Sequence, residues 1–214
     1  MRKQIRTFVL IAVGLSSLSA VFAQQTGAVV APQTKEVFQG EAPEQFLLKG
    51  ELTNLRNIPV GVTAPQWATL TLNGVEHEGL FKTIDEAKSG FTQLERGKGE
   101  IDFQDSWRTE IPAYEVDKII GLGMVPATVE RVLNGKRGSL QFRIQSMMPE
   151  AERVKRKLTA PDAAAWNQQM FKVRLFDNLI YNTDRHLNNI LITKDWEIRL
   201  IDHSRSFRPF DDLK

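Results

Sequence analysis

The feature that most limits what this chain can fold into is a run of polar residues between a helical pattern and a strand pattern. Residues 182–189 read Asn-Thr-Asp-Arg-His-Leu-Asn-Asn and precede the apolar stretch 190–192. Thirteen residues after Asn189, Asp202 follows a second apolar stretch, 198–201. Carboxylate and amide side chains at the ends of apolar strands favour a site that binds metal ions and phosphate groups.

The pattern on both sides of this run predicts a helix followed by a short hairpin. Apolar residues at helical spacing predict a helix over residues 161–181, with a buried face made of Trp166, Met170, Val173, Phe176 and Ile180. Strands are predicted at 190–192 and 198–201, on either side of a turn at Lys194 and Asp195. This part of the chain is therefore expected to be helical with one small hairpin.

The preceding part of the chain predicts strands and one helix. Strands are expected at 67–72 and 79–84 around an Asn73-Gly74 turn, and at 129–133 and 139–145. A helix is expected over 109–120, capped by Thr109, with Ala113, Val116 and Ile120 as its buried stripe and residues 121–123 at its end. Three glycines predict a long, mobile loop over 88–104. The order of elements indicates an α+β, two-lobed plan.

The first 23 residues have the pattern of a secretory signal peptide. Arg2, Lys3 and Arg6 form a basic start before an apolar run at 8–14, and Val21 and Ala23 suit signal-peptidase cleavage. The run is too short for a stable membrane span, and an uncleaved anchor is the alternative. We therefore expect a bacterial protein exported to the periplasm or secreted.

Composition narrows the function classes. Removing three of the 28 basic residues leaves 25 against 26 acidic residues, a net charge of −1, so nothing indicates a nucleic-acid partner. The absence of cysteine excludes a disulfide framework, a thiolate nucleophile and cysteine-bound zinc. The hydrophobic and charged fractions, 42% and 25%, are those of a globular protein.

Two groups of residues suit phosphoryl transfer. Asp184 and, five residues later, Asn189 can face one space, and Asp202 is placed to bind metal. Lys82 lies in an apolar strand and needs an anionic partner. Glu110 at the start of the next helix is the first candidate, and Glu115 is its rival.

At this point the sequence resembles a known group of enzymes. Asn-Thr-Asp-Arg-His-Leu-Asn-Asn-Ile at 182–190, followed by Leu-Ile-Asp at 200–202, resembles atypical kinases whose catalytic loop reads Asp-Arg-His. These are the phosphoinositide-kinase-like enzymes, the HipA-type toxin kinases and the secretory-pathway kinases. The resemblance covers residues 60–207, and its two motifs near the C-terminus are the specific part.

The resemblance implies a kinase-like fold, and ATP with Mg²⁺ or Mn²⁺ as cofactors. Its catalytic loop implies roles for Asp184, Arg185 and His186, with Asn189 and Asp202 as metal ligands. Lys82 would contact phosphate and Glu110 would pair with it. Gly61 and Thr63 would lie in the phosphate-covering loop, although the glycine-rich run of that loop is missing here. Residues 143–148 would form the hinge beside an adenine.

The domain organisation expected on this basis has four parts. They are a signal peptide (1–23), a flexible lead-in (24–43), an N-lobe of antiparallel sheet plus one helix (44–148), and a partial C-lobe (149–214). Because Lys214 comes twelve residues after Asp202, the C-lobe is expected to be truncated.

The acceptor hydroxyl is not readable from these motifs: protein, lipid and sugar acceptors all remain open. Two other functions remain as alternatives. One is a catalytically inactive pseudokinase or nucleotide-binding module. The other is a metal-dependent hydrolase that uses Asp184, His186, Asp202 and His203.

Overall fold

An antiparallel sheet of five strands forms the centre of the fold. The computed structural model describes residues 37–58, 65–93 and 99–208. The strands are β1 (Glu51–Asn57), β2 (Gln66–Leu72), β3 (Val75–Lys82), β4 (Asp85–Gln93), β5 (Gly99–Ser106), β6 (Thr128–Leu133), β7 (Lys136–Phe142), β8 (Met148–Pro149), β9 (Ile190–Ile192) and β10 (Ile198–Leu200). The helices are α1 (Glu41–Lys49), α2 (Glu110–Ile120), α3 (Glu150–Lys155) and α4 (Ala163–Leu179).

Within the part of the chain that the structure describes, the strands form three separate sheets, and every strand pair is antiparallel. The five-stranded sheet has the order β1-β2-β3-β7-β6, β8 to β10 form a small sheet, and β4 pairs only with β5. The predicted α+β class is therefore confirmed. The predicted hairpins at β2–β3, β6–β7 and β9–β10 are present, although β7 begins three residues earlier than expected and ends at Phe142.

The end of β3 carries the residue on which the site is centred. Phe81 and Lys82 are both buried, and Lys82 lies opposite Ser139 of β7. The neighbouring strand approaches very closely here, since a Cβ on Gly138 would lie 2.1 Å from the Lys82 carbonyl oxygen. A glycine at position 138 therefore lets the backbones of β7 and β3 approach each other at Lys82.

Helix α2 begins close to its predicted start, but its first turn differs in detail. A 3-10 turn at Trp107–Thr109 precedes Glu110. The Thr109 side chain does not cap α2, because Oγ1 lies 2.8 Å from the carbonyl oxygens of both Ser106 and His203. The helix ends at Gly121, which adopts a left-handed conformation with φ of 67° as predicted.

The prediction of the buried stripe of α2 was wrong in part. Glu110, Ala113, Tyr114 and Asp117 are buried, whereas Val116 is only partly buried and Ile120 is 46% exposed. Two of the buried positions are carboxylates, and a pattern of apolar residues alone cannot identify them.

The prediction of a long loop over 88–104 was wrong. Strands β4 and β5 form a two-stranded ribbon there, with Asp85 opposite Ser106 and a register shift between Lys88 and Phe91. Nearly every residue of β4 is exposed. The ribbon therefore lacks the apolar alternation from which a strand is normally predicted.

Two short helices were not predicted. Helix α1 begins at Glu41, so the last three residues assigned to the flexible lead-in are helical. Helix α3 occupies Glu150–Lys155, for which no element was predicted, and Arg153 in it is held by both oxygens of Glu150.

Helix α4 matches its prediction closely. It begins at Ala163, with the Asp162 side chain accepting a hydrogen bond from the Ala165 amide, and buries Trp166, Val173 and Phe176. Among the described residues, none of the helices has the length and apolar character needed to cross a bilayer.

Candidate functional site

The site is centred on an ion pair that joins three distant parts of the chain. Lys82 Nζ lies 2.5 Å from Glu110 Oε1 and 2.7 Å from Asp202 Oδ1. The side chains of Lys82 and Glu110 are 10% and 3% exposed, whereas that of Asp202 is 41% exposed. The ammonium therefore lies between a buried carboxylate and one that is open to solvent.

Glu110 is fixed on its other side as well. Its Oε2 accepts a hydrogen bond of 3.0 Å from the His203 amide, next to Asp202 in the chain. The rival Glu115 instead pairs with Lys118 at 2.9 Å on the helix surface. Glu110 therefore connects the start of α2 to both Lys82 and the segment after β10.

The charge state of this network follows from its geometry. Burial alone would lower the pKa of Lys82, but the Glu110 and Asp202 carboxylates outweigh it and raise that pKa. Burial would conversely raise the pKa values of Glu110 and Asp202, and the Lys82 ammonium lowers both. All three groups are consequently charged at neutral pH.

We expect this ion-pair network to make the free energy of unfolding depend on pH in the acid range. A carboxylate with a lowered folded-state pKa stabilises the fold above its unfolded value and loses that contribution as pH falls. The free energy of unfolding should therefore fall below about pH 4.5. Urea unfolding at several pH values checks this, with Glu110→Gln as the comparison.

The variant should show a shallower decline than the native chain between about pH 5 and 3. Asp105 and Asp117 act in the opposite direction, because burial raises the pKa of each. Their contribution is common to both proteins and cancels in the comparison. Equal slopes would show that Glu110 is not linked to folding in this way.

Asp202 adopts an unusual backbone conformation. Its φ is 61°, in the left-handed region that few residues other than glycine, asparagine and aspartate occupy. Its Oδ1 also accepts a hydrogen bond from Ser204 Oγ at 3.1 Å, and Asn189 Nδ2 lies 3.3 Å from its Oδ2. The structure thus brings together Asn189 and Asp202, the two residues assigned to metal binding.

Asp184 lies on the loop after α4, and its side chain is 35% exposed. His186 Nε2 lies 2.7 Å from its Oδ1, and Arg205 Nε lies 3.5 Å from its Oδ2. The Asp184 amide donates to Asn182 Oδ1 at 3.1 Å. This loop therefore presents a solvent-accessible carboxylate with both of its oxygens paired.

Arg185 points away from Asp184 and braces the loop. Its guanidinium donates to Asp177 of α4 and to the carbonyl oxygens of Ile201 at 2.6 Å and Asn189 at 3.2 Å. The side chains of Arg185 and Asp177 are 10% and 11% exposed. Arg185 therefore links α4, the loop and the end of β10, a positioning role.

The two histidines of the motifs differ in environment. The His186 side chain is 63% exposed, whereas His203 is fully buried and packs edge-on against Phe176. Burial lowers the pKa of His203 and Arg185 lowers it further, so the ring is neutral. His203 Nδ1 lies 3.5 Å from Glu110 Oε2, too far for a good hydrogen bond.

A cleft of about 850 Å³ lies beside the site. Leu80 precedes Lys82 by two residues and Ile201 directly precedes Asp202, and both line this cleft together with Leu191. Its rim is formed by residues 143–146, tethered by hydrogen bonds from Arg143 N to Glu78 O at 3.0 Å and from Met147 N to Ile192 O at 2.7 Å. The cleft therefore combines apolar wall residues and the 143–146 segment with charged side chains, among them Glu76, Glu78 and Arg143.

Some of the predicted site residues lie in parts of the chain that the structure does not describe. Gly61 and Thr63 lie outside the described residues, as do the signal peptide and residues 24–36 of the lead-in. Within the described ranges no group of three or more His, Asp or Glu side chains is arranged to hold a metal ion. Asn189 and Asp202 could offer two oxygen ligands to a cation whose other ligands came from phosphate and water.

Sequence reasoning missed several residues around Asp184 and Asp202. Arg205 contacts Asp184, Asp105 interacts with Asp202, and Glu100 pairs with Arg205. Glu100 lies in the predicted loop, Asp105 directly after it, and Arg205 beyond the second motif. Burial raises the pKa of Asp105, and the neighbouring Asp202 raises it further.

No family model matches this chain, and no relative was found among curated proteins.

Proposed function

We propose that this chain is a kinase-like phosphotransferase that uses ATP and Mg²⁺ or Mn²⁺ to phosphorylate a hydroxyl group. The single observation that carries the proposal is the ion pair of Lys82 with Glu110 and Asp202. Residues at positions 82, 110 and 202 meet beside this cleft, in the order expected from the resemblance to atypical kinases. A buried, obligatorily charged lysine in such a place suits contact with nucleotide phosphates.

The cleft suits the nucleotide's base. Its apolar walls at Leu80, Leu191 and Ile201 match the faces of a planar base. The backbone rim at 143–146 can supply hydrogen bonds to the edge of that base, as expected for an adenine. In this proposal the five-stranded sheet with α2 forms one lobe, and α3, α4 and the β8–β10 sheet belong to the second.

Each remaining residue of the site has a stated task. Asp184 orients the acceptor hydroxyl and accepts its proton, and Lys82 holds the phosphates. Asn189 and Asp202 would hold the metal ion, which neutralises phosphate charge when bound. The partly exposed Asp202 and the 3.3 Å contact from Asn189 to its Oδ2 fit this use, because that contact holds Oδ2 less firmly than Oδ1, which lies 2.7 Å from Lys82 Nζ.

The hydrolase alternative fits the geometry less well. It needs His203 as a metal ligand, and that ring is fully buried against Phe176. A ligand that reaches an exchangeable metal ion must present a lone pair to the ion's site. The inactive alternative keeps the same cleft and differs only in lacking transfer.

We expect ATP with Mg²⁺ to raise the melting temperature of the purified protein. A ligand at about 100 times its Kd adds about 2.7 kcal/mol, equivalent to a shift of about 5–10 °C for a chain of this size. Asp202→Asn should remove the shift, since asparagine tolerates the left-handed backbone but carries no charge. Thermal unfolding by fluorescence measures both.

Asp195→Asn is the matched control, because Asp195 lies in the exposed turn between β9 and β10. It should preserve the full shift. Absence of any shift in the native chain would refute the nucleotide site. A shift without phosphate transfer from radiolabelled ATP to protein, lipid or sugar acceptors would identify the inactive alternative.

A further inference from the structure

The β4–β5 ribbon is joined to the segment that follows Asp202. Ser106 N donates to Ser204 O at 3.0 Å, and Gln104 Nε2 donates to Ser206 O at 3.1 Å. These bonds run along one edge of β5. The ribbon, whose strand β4 is almost entirely exposed, is therefore attached through β5 to the segment that follows Asp202.

Glu100 of β5 holds two arginines of this segment. Its Oε2 lies 2.8 Å from Arg205 Nη1, and its Oε1 lies 2.7 Å from Arg208 Nη1. The side chain of Glu100 is 21% exposed and that of Arg205 is 20% exposed. Both ion pairs are thus partly shielded from bulk water, which reduces the screening between their charges.

The two arginines continue in different directions. Arg208 is almost fully buried and donates to the carbonyl oxygens of Ile101 and Asp102 on the ribbon. Arg205 instead turns its Nε to Asp184 Oδ2 at 3.5 Å, with its guanidinium over the Phe103 ring at 4.9 Å from the centroid. A chain of contacts therefore runs from Glu100 through Arg205 to Asp184.

We propose that Arg205, anchored by Glu100, is a positioning residue that fixes the orientation of Asp184. This inference rests on the proposed function, in which Asp184 orients the acceptor hydroxyl. His186 Nε2 lies 2.7 Å from Asp184 Oδ1, and the Arg205 guanidinium makes a longer ion-pair contact of 3.5 Å with Oδ2. A carboxylate with one tether rotates about that tether, whereas one with two tethers presents its lone pairs in a fixed direction.

Orientation of this kind affects the rate of transfer and not the binding of nucleotide. Displacement of a catalytic group by about 1 Å can cost on the order of 100-fold in rate. Arg205 lies on the acceptor side, next to Asp184, whereas the nucleotide is expected against Lys82 and the cleft. Loss of Arg205 should therefore lower kcat and leave the KM for ATP unchanged.

The test compares Arg205→Gln with Arg208→Gln in the full chain. Both variants remove a guanidinium from Glu100, but only the first removes a contact with Asp184. We expect Arg205→Gln to lower kcat by roughly 10- to 100-fold, and Arg208→Gln to keep kcat within about threefold once both are measured well below their melting temperatures. Arg205→Lys, which retains the charge, should restore part of the rate.

A second measurement does not depend on activity. Hydrogen–deuterium exchange of residues 183–186 should be roughly five- to tenfold faster in Arg205→Gln than in the native chain, and unchanged in Arg208→Gln. Faster exchange together with lost transfer supports the inference. If the native chain shows no transfer at all, the proposed function fails, while the exchange data still decide whether Arg205 orders Asp184.

Two results would overturn the inference. One is equal loss of kcat in Arg205→Gln and Arg208→Gln, because that is the behaviour of a purely structural tether. The other is unchanged exchange at 183–186 in Arg205→Gln. Glu100→Gln should reproduce the Arg205→Gln result in part, since the guanidinium would remain but lose its anchor.

Discussion

Replacement of Lys82 by methionine should lower the free energy of unfolding by about 3–5 kcal/mol and remove ATP binding. Removal of one partner of a buried ion pair leaves an uncompensated charge, and penalties of this size are typical. Here the stranded group is Glu110, whose side chain is 3% exposed. Methionine has similar length and volume, so the effect reports charge and not a cavity. Urea unfolding and ATP-dependent thermal shifts measure the two losses.

Lys118→Met is the matched control for this prediction. Lys118 also contacts two carboxylates, Glu44 and Glu115, but its side chain is 38% exposed. An exposed ion pair contributes about 0–1 kcal/mol, so the free energy of unfolding of this variant should be close to that of the native chain.

A further variant keeps the Lys82 prediction testable if Lys82→Met fails to fold. Glu110→Gln combined with Lys82→Met should recover part of the lost stability, because it removes the stranded charge. Equal stability of Lys82→Met and the native chain would show that the pair is not energetically coupled to the fold.

Asp184→Asn should reduce phosphate transfer by about 10²–10⁴-fold while leaving ATP binding intact. This is the usual contribution of a positioned acid–base group. Asparagine keeps the shape of the side chain and can still accept a hydrogen bond from His186. The loss should therefore appear in kcat and not in the KM for ATP. Transfer from radiolabelled ATP measures it.

Asp195→Asn again serves as the control and should transfer phosphate at the native rate. Undiminished transfer by Asp184→Asn would mean that another group accepts the proton. In that case the mechanism fails even though the nucleotide site is retained. A melting temperature close to that of the native chain would exclude unfolding as the cause of any loss.

Most residues at the centre of the site could be predicted because each stands in a recognisable local sequence pattern. Lys82 stands in an apolar strand, and a buried lysine needs a carboxylate partner. Glu110 opens a helix whose end at Gly121 is also readable. Asp184, Asn189 and Asp202 lie at the ends of elements whose apolar spacing is regular. The choice of Glu110 over Glu115 required coordinates, and so did the contact of Lys82 with Asp202, a residue that the sequence assigned only to metal binding.

The ribbon could not be anticipated, for a physical reason. Strands are recognised when one face is buried, and β4 has almost no buried residue. Its glycines, such as Gly90 with φ of 75°, belong to a bulged strand but resemble loop glycines in sequence. Because Glu100 was assigned to that loop, its contact with Arg205, 105 residues away, had no signal in the sequence.

The separation along the chain of the groups around Lys82 has a consequence for how the protein comes into being. Lys82 and Asp202 are 120 residues apart, and Glu110 and His203 are 93 apart. Contacts between such distant residues form late, because the entropy lost in ordering the long intervening chain must be offset before the contacts can stabilise the fold. During synthesis the lysine emerges long before its second carboxylate. If the proposed nucleotide site exists, affinity for ATP should therefore arise only in the last stage of folding, and ATP binding would report that folding is complete.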